Sequence, residues 1–494
     1  MLVTFVGLYL LVTIGIGWYA ARRVRSAADY FAAGHSLPLY MNFATVFATW
    51  FGAETMLAVS STFVAQGLHG IVADPFGAAA ALILVAVFFA RPFYRLDLLT
   101  IGDFYRKRYN RTVELATGIA ITLSYLGWAS ANLVALGICF NVLSRGDIPV
   151  HDGIVAGAVV TIVYLLFGGM FAVAFTDLFQ TVMIVGGLVF IAVLLGGEAG
   201  GFARVVSAAA EEGKFVLLPT FGLRDVLGVA AAFLTMALGS IAQQDVFQRV
   251  TSARDETTAV RGTLLGGSFY LVFAFVPMFI GVSAFLIEPE MVKAMLAGDE
   301  NEFQLVLPLL VLEHVPLYAQ VLFFGALLSA ILSTASGALL APAAIFSENV
   351  LKPFLGGMTD RRLLVTGRVV LVVFTACTML FALQSDSSMY EMVQNAYKVT
   401  LVAAFPPMAF GMFWTRATPQ GAVASIVLGL ATWVGAEAAA PDAVLPPQLV
   451  GFACAIVGMV AGSLLPQLSP DRGHPDVVER ARHAVPHPHE DVRA

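Results

Sequence analysis

Long apolar runs recur through this chain at 2–20, 38–66, 70–93, 113–143, 152–168, 174–197, 224–246, 262–287, 315–346, 363–384, 389–414, 420–437 and 447–466. Each is about the length a helix needs to cross a bilayer. Within lipid a backbone must satisfy its own hydrogen bonds, which leaves helix or closed barrel. Continuous runs, without apolar–polar alternation, select the helix. The predicted fold is therefore all-α and polytopic, with about thirteen transmembrane helices. Composition agrees, since 59% of residues are hydrophobic and 12% charged, about half the charged fraction of a soluble globule. A net charge of −6 offers no basic surface, so nucleic acid is excluded as a partner.

The charges that do occur set an orientation. With the N-terminus outside, thirteen crossings place "ARRVRS", "RPFYRLDLLTIGDFYRKRYNR", "FQRVTSARDETTAVR", "ENVLKPFLGGMTDRR", "WTR" and the C-terminal tail on the inner side. These hold most of the lysines and arginines, whereas the outer loops hold Arg145, Arg204, Lys214, Arg224 and Lys293. That asymmetry is the positive-inside pattern. The first run carries its arginines after it, so it reads as a retained span rather than a cleaved signal. The outer stretches 197–215 and 288–303 suit short surface helices. The transmembrane unit covers 1–466, and the proline-punctuated tail 467–494 reads as disordered and cytoplasmic. The three histidines at 483–490 then form a solvated run. Cys139, Cys377 and Cys454 lack metal spacing and read as buried, inert thiols. His69 fits an outer turn. No P-loop or nucleophile elbow is present in the sequence, which argues against an enzyme.

Two spans carry features that break helices. "FATWFGAETM" (47–56) and "MALGSIAQQD" (236–245) set glycine beside polar residues in mid-span. Backbone freed at that depth is tolerated where it lines a cavity or binds something. The two spans are five apart, which suits two five-span repeats that each open with a discontinuous helix. In "GALLSAILSTASGALLAP" (325–342), Ala330, Ser333 and Thr334 fall on one helix face. Two hydroxyls and a carbonyl there could dehydrate a small cation; a helix-contact face is the structural alternative.

With these residues, the chain resembles the solute:sodium symporter family. "GGMFAVAFTDLFQ" (168–180) is similar to that family's Gly-Gly…Thr-Asp…Gln signature, "SAADYFAAG" (26–34) to its Asp-Tyr-Phe segment, and "LSTASGALL" (332–340) to its sodium-site helix. The resemblance implies a LeuT-type inverted repeat, with core halves near 38–197 and 224–414, one helix before and two after. It implies sodium coordination by main-chain oxygens of Ala48, Phe51 and Ala330 and by the hydroxyls of Ser333 and Thr334. Asp177 matches a family aspartate on the ion exit route, with a structural role as the alternative. "ATW" (48–50), "FFARPF" (88–93), "YLGWAS" (125–130) and "FQRVTS" (247–252) resemble the choline-transporter branch, which implies substrate contacts at Trp50 and Trp128, beside Gly52. That branch's third tryptophan is replaced here by the neighbourhood of Gln243 and Gln244, which suits an amide, carboxylate or amino acid, as in the proline branch. The implied activity is sodium-coupled import of a small organic solute across the cell membrane by alternating access, with Na+ as coupling ion and no other cofactor. A proton-driven symporter and a transporter-like sensor with a separate partner are the alternatives.

Glu54 and Lys398 remain as opposite charges at mid-depth. An isolated charge there costs roughly 2.5–3.5 kcal/mol or more. The expectation is a Glu54–Lys398 pair that gates the substrate cavity, against the alternative that Lys398 snorkels and Glu54 is wetted or protonated.

Overall fold

A computed structural model describes residues 2–217, 222–297, 304–356, 358–385, 387, 389–468, 471 and 473–476. Among them the regular structure is helical apart from one isolated bridge between Leu37 and Ala253. The principal helices are α1 (Leu2–Ala21), α2 (Leu39–Trp50), α3 (Val59–Gln66), α4 (residues 72–95), α5 (Ile101–Arg108), α6 (Arg111–Leu143), α7 (Val150–Glu198), α8 (Leu223–Gly239), α9 (Gln244–Ser252), α10 (Glu256–Phe273), α11 (Phe275–Ile287), α12 (Leu317–Ile345), α13 (Asp360–Gln384), α14 (Met389–Ala403), α15 (Phe405–Phe413), α16 (Pro419–Ala439) and α17 (Pro447–Leu464).

Among the described residues ten helical runs are long and apolar enough to cross a membrane. They become eleven with the pair Glu391–Ala403 and Phe405–Phe413, which bends by 41°. The sequence expected thirteen, and the two counts differ in how two long runs are divided. Glu54–Arg95 runs for 42 residues and Val150–Glu198 for 49, about 63 and 74 Å at 1.5 Å per residue. The first is interrupted at Gly67 (φ 71°) and at Asp74 (φ −127°, ψ 123°), the second at Gly169 (φ 49°, ψ −138°). Each run is about twice the ~30 Å apolar thickness of a bilayer or more and carries a non-helical break, so each has length for more than one crossing, divided close to where the sequence divides it.

α12 is the spine of the molecule. Every position from Phe323 to Ile345 is buried, as expected of a helix apolar on all sides. It packs on α7 and α6 and touches α2 and α9. α1 lies against α7, while α16 and α17 pair with each other and with α14 at the periphery. Cys139 is buried, but Cys377 is exposed and Cys454 half-buried. An apolar face turned to lipid reads like a core in sequence, which is why burial of all three was expected. Short helices form in the outer stretches at Phe202–Glu211 and Pro289–Leu296. The chain beyond Pro466 stays near the molecule for a few residues. The His474 amide donates to Arg108 O at 2.9 Å, and Asn110 Nδ2 donates to Asp471 Oδ2 at 3.0 Å. Residues 477–494, with the three-histidine run, lie outside the described residues.

Candidate functional site

Both expected breaks are present. α2 stops at Trp50, where Phe51 leaves helical geometry (φ −82°, ψ 79°), and a π-helical turn resumes at Glu54–Ala58. The Gly52 amide turns back to Trp50 O at 3.0 Å instead of reaching Ala48 O four residues back, so Ala48 O loses its helical partner. The second break is a single 3₁₀ turn, Ser240–Ala242, followed by extended Gln243 (φ −85°, ψ 144°). Residues 51–53 and 240–243 are buried, which keeps the irregular backbone out of lipid.

The first break meets the hydroxyl face of α12. A Cβ built on Gly52 would lie 2.4 Å from Thr334 Oγ1, so only glycine lets the two elements approach this closely. Thr334 Oγ1 donates to Ala330 O at 3.1 Å. Ser333 turns to the next helix, where its Oγ donates to Asp177 Oδ1 at 2.5 Å. Asp177 is wholly buried, and its Oδ2 has no hydrogen-bond partner among the described residues. Thr334 and Ala330 of α12 thus meet the break at Gly52, next to Phe51, while Ser333 is engaged with Asp177.

Arg249 joins the two broken helices. Its Nε and Nη2 donate to Thr49 Oγ1 at 3.2 and 2.8 Å, and its Nη1 donates to Asp245 O at 3.0 Å. The sequence placed Arg249 in an inner basic loop. It is instead only 2% exposed, within electrostatic reach of Asp177 and Asp245. Asp245 is also held by Tyr125, whose hydroxyl donates to Oδ1 at 2.5 Å and accepts from the Asp245 amide at 2.9 Å.

The substrate candidates divide. Trp50 and Trp128 approach with ring centroids 6.5 Å apart, and Tyr397 of α14 completes a triangle at 6.3 and 6.2 Å from them. Gln243 joins this group, with Nε2 3.2 Å from Ser124 Oγ and 3.4 Å from Thr400 Oγ1. Gln244 turns away, and its Oε1 accepts from the Ile101 amide at 2.8 Å. Consecutive residues entering a helix point about 100° apart, so one glutamine faces the breaks and the other caps α5.

The expected Glu54–Lys398 pair is not made. Lys398 Nζ reaches Glu437 Oε1 on α16 at 3.4 Å, because α14 turns that residue towards the peripheral pair. Glu54 Oε1 is sealed from solvent without a hydrogen-bond partner among the described residues. Its charged neighbour is Asp74. Asp74 is held by Thr55 Oγ1 at 2.9 Å and by the Tyr270 hydroxyl.

A family-wide sequence profile described as "Sodium:solute symporter family" matches residues 30–429. The chain belongs to the sodium:solute symporter family. Among its relatives in sequence are human high affinity choline transporter 1, 25% identical over 87% of this chain and 75% of that one, and the osmoregulated proline transporter OpuE of Bacillus subtilis, 24% identical over 94% of each. A Na+-coupled sialic acid symporter, solved in a substrate-bound outward-open state, superposes with TM-score 0.81 at 20% identity, covering 95% of this symporter and 99% of that chain. Mhp1, a nucleobase-cation-symport-1 family transporter, gives TM-score 0.60 at 16% identity over 93% and 98%. At these identities the superpositions establish a common fold. In this symporter Tyr397, Arg249 and Thr49 were missed from sequence. An aromatic beside Lys398, in "NAYKV", was the available signal for Tyr397. Nothing local marks Thr49, whose role depends on an arginine 200 positions away.

Proposed function

We propose that this chain imports a small organic solute, of the amine or amino-acid kind, together with sodium across the cell membrane, with its N-terminus outside and its C-terminus in the cytoplasm. The observation that carries this reading is the meeting of the Gly52 break with Thr334. It sets a freed main-chain oxygen beside a hydroxyl-bearing helix at membrane depth, where neutral oxygens can replace the hydration shell of a small cation. In this reading the oxygens of Ala48, Phe51 and Ala330 and the hydroxyls of Ser333 and Thr334 hold sodium, and Asp177 receives it on the inward route. Trp50, Trp128 and Gln243 hold the solute between the two breaks. Sodium bound across α2 and α12 orders the first break and so prepares the solute site. Entry of one sodium charge down the membrane potential supplies about 2.3 kcal/mol per 100 mV. Family membership, the choline and proline transporters among the relatives, and the two breaks all support this.

Uptake by proteoliposomes under separately imposed sodium and proton gradients tests it. Uptake should follow the sodium gradient, and Thr334→Ala should raise the sodium concentration for half-activation at least about tenfold with little change in melting temperature. Uptake driven by protons alone, or unchanged sodium activation in Ser333→Ala/Thr334→Ala, would overturn the assignment.

A further inference from the structure

The geometry points to Glu54 as the counter-ion of an N–H-bearing ammonium group on the transported solute, which makes that solute a primary or secondary amine carrying an oxygen acceptor, and not a quaternary ammonium compound. This rests on the symporter reading above and on the solute binding between the two breaks.

Charge is the first argument. Lys398, the cation expected beside Glu54, is engaged with Glu437. The titratable groups within electrostatic reach of Glu54 are Asp74 on α4, Tyr270 on α10 and Tyr397 on α14. None of these is a cation. Asp74 adds a second negative charge, and its two oxygens are already served by Thr55 and Tyr270. Glu54 is half-buried, and its Oε1, sealed from solvent without a positive or hydrogen-donating mate among the described residues, is costly. The Glu54–Ala58 turn packs against α14, the helix that carries Tyr397, one wall of the aromatic triangle.

Hydrogen-bond accounting is the second argument and is independent of the first. The hydroxyl hydrogens of Ser124 and Thr400 are spent on Ile121 O (2.7 Å) and Tyr397 O (3.2 Å). Both hydroxyls must therefore accept from Gln243, which fixes its amide nitrogen towards them and its carbonyl away. Gln243 is 2% exposed, and its Oε1 has no partner among the described residues. Trp50 is 7% exposed, and its Nε1 is an unpartnered donor among the described residues. Two unpartnered acceptors, Glu54 Oε1 and Gln243 Oε1, and one donor, Trp50 Nε1, thus sit on or against the elements that carry the three rings, while Asp245 Oδ2, also unpartnered among the described residues, has the Arg249 charge within reach. An ammonium with hydrogens serves both acceptors while lying against the rings. A carboxylate or hydroxyl oxygen on the same solute takes the indole N–H. A quaternary ammonium satisfies the rings alone and leaves both acceptors buried and unpaired. Sites built around such hydrogen bonds reject analogues lacking the hydrogen by about 10⁴–10⁵.

The test is a sodium-dependent binding measurement on the full chain in lipid nanodiscs, with two methylation series. One runs from ethanolamine through its N-methyl and N,N-dimethyl forms to choline. The other runs from L-proline through N-methyl-L-proline to N,N-dimethyl-L-proline. In at least one series affinity should persist while an N–H remains and fall at least about 100-fold when the last hydrogen is replaced by methyl. Glu54→Gln should weaken the N–H members at least about tenfold and flatten that step. Equal or tighter binding of the quaternary members overturns the proposal, as does a step left intact by Glu54→Gln. Failure of every member to bind overturns it too. The sodium-induced rise in melting temperature of the same preparation, and its loss in Thr334→Ala, then reports separately on the symporter reading. The wild-type series decides the matter even where Glu54→Gln folds poorly.

Discussion

At Gly52 the distance between a would-be Cβ and Thr334 Oγ1, 2.4 Å, makes a single methyl group informative. Gly52→Ala must separate the break from α12 or displace the Thr334 hydroxyl, at about 1–3 kcal/mol of overpacking. Because the proposed sodium site draws on both the broken end of α2 and the Thr334 hydroxyl, we expect at least about a tenfold rise in the sodium concentration for half-maximal uptake. Gly7→Ala on α1 is the control, since a Cβ there meets nothing within 4 Å, and it should leave sodium activation unchanged. Equal responses of the two variants in a sodium titration of uptake would remove Gly52 from the ion site. Gly52 was legible in sequence because glycine beside polar groups weakens a helix at a depth where lipid cannot hydrogen-bond the freed backbone. The division of labour between Gln243 and Gln244 was not legible, since it depends on the exact residue at which α9 begins. The mates of Glu54 and Lys398 were not legible either, because two charges of opposite sign at similar depth say nothing about which way each helix is turned.

Among elements, the short helix α5 ties together helix ends of the core. Asn349, in the π-helical turn that follows α12, accepts from Thr100 Oγ1 at 2.6 Å and donates to Asp103 Oδ1 at 3.2 Å and Glu114 Oε1 at 2.8 Å. Arg106 reaches Asp103 at 3.0 Å and Glu114 at 3.6 Å, and Gln244 ties α9 to the start of α5. The hydroxyl-bearing helix and the second broken helix are thereby fastened to one small element. Removing the amide leaves two carboxylates and a hydroxyl short of partners, which costs about 1–3 kcal/mol for each buried group left unsatisfied. Asn349→Ala should therefore lower the melting temperature in detergent by several degrees. Asn349→Asp should lower it further by adding a carboxylate beside Asp103, Glu114 and Glu348. Melts that match wild type in both variants would show that the tie bears no load. In sequence these residues sit at the ends of apolar runs, where polar groups read as solvated loop. The breaks inside the runs were legible, and so was the hydroxyl stripe on α12.

Across the whole molecule, the two sides of the membrane are closed to different degrees. On the side assigned as outer, a cavity of about 400 Å³ is lined by residues including Ala58, Gln66, His69, Arg224 and Asp225. Its floor at Ala58 is one turn beyond Glu54. On the other side, Leu37 pairs with the end of α9 through its amide to Ser252 O at 2.9 Å and its carbonyl to the Arg254 amide at 3.0 Å. In the proposed orientation, a cavity that begins one turn past Glu54, with the opposite end of α2 pinned to α9, fits a carrier open to the outside. The proposed orientation rests on the lysine and arginine asymmetry, which a sequence displays without any knowledge of contacts. The asymmetry of closure has no sequence signature, because the same residues must serve both states. A cysteine at Ala58, in a background with Cys139, Cys377 and Cys454 replaced, should react with a membrane-impermeant maleimide added to intact cells. A cysteine at Arg254, next to the Leu37 pairing, should not react until the membrane is opened. Sodium alone should speed labelling at position 58 by holding the first break in place. Sodium with saturating solute should slow it several-fold as the vestibule closes over the load. Labelling at position 254 and not at 58 in intact cells would invert the assigned orientation. A rate at 58 indifferent to both ligands would mean that this cavity lies off the transport route.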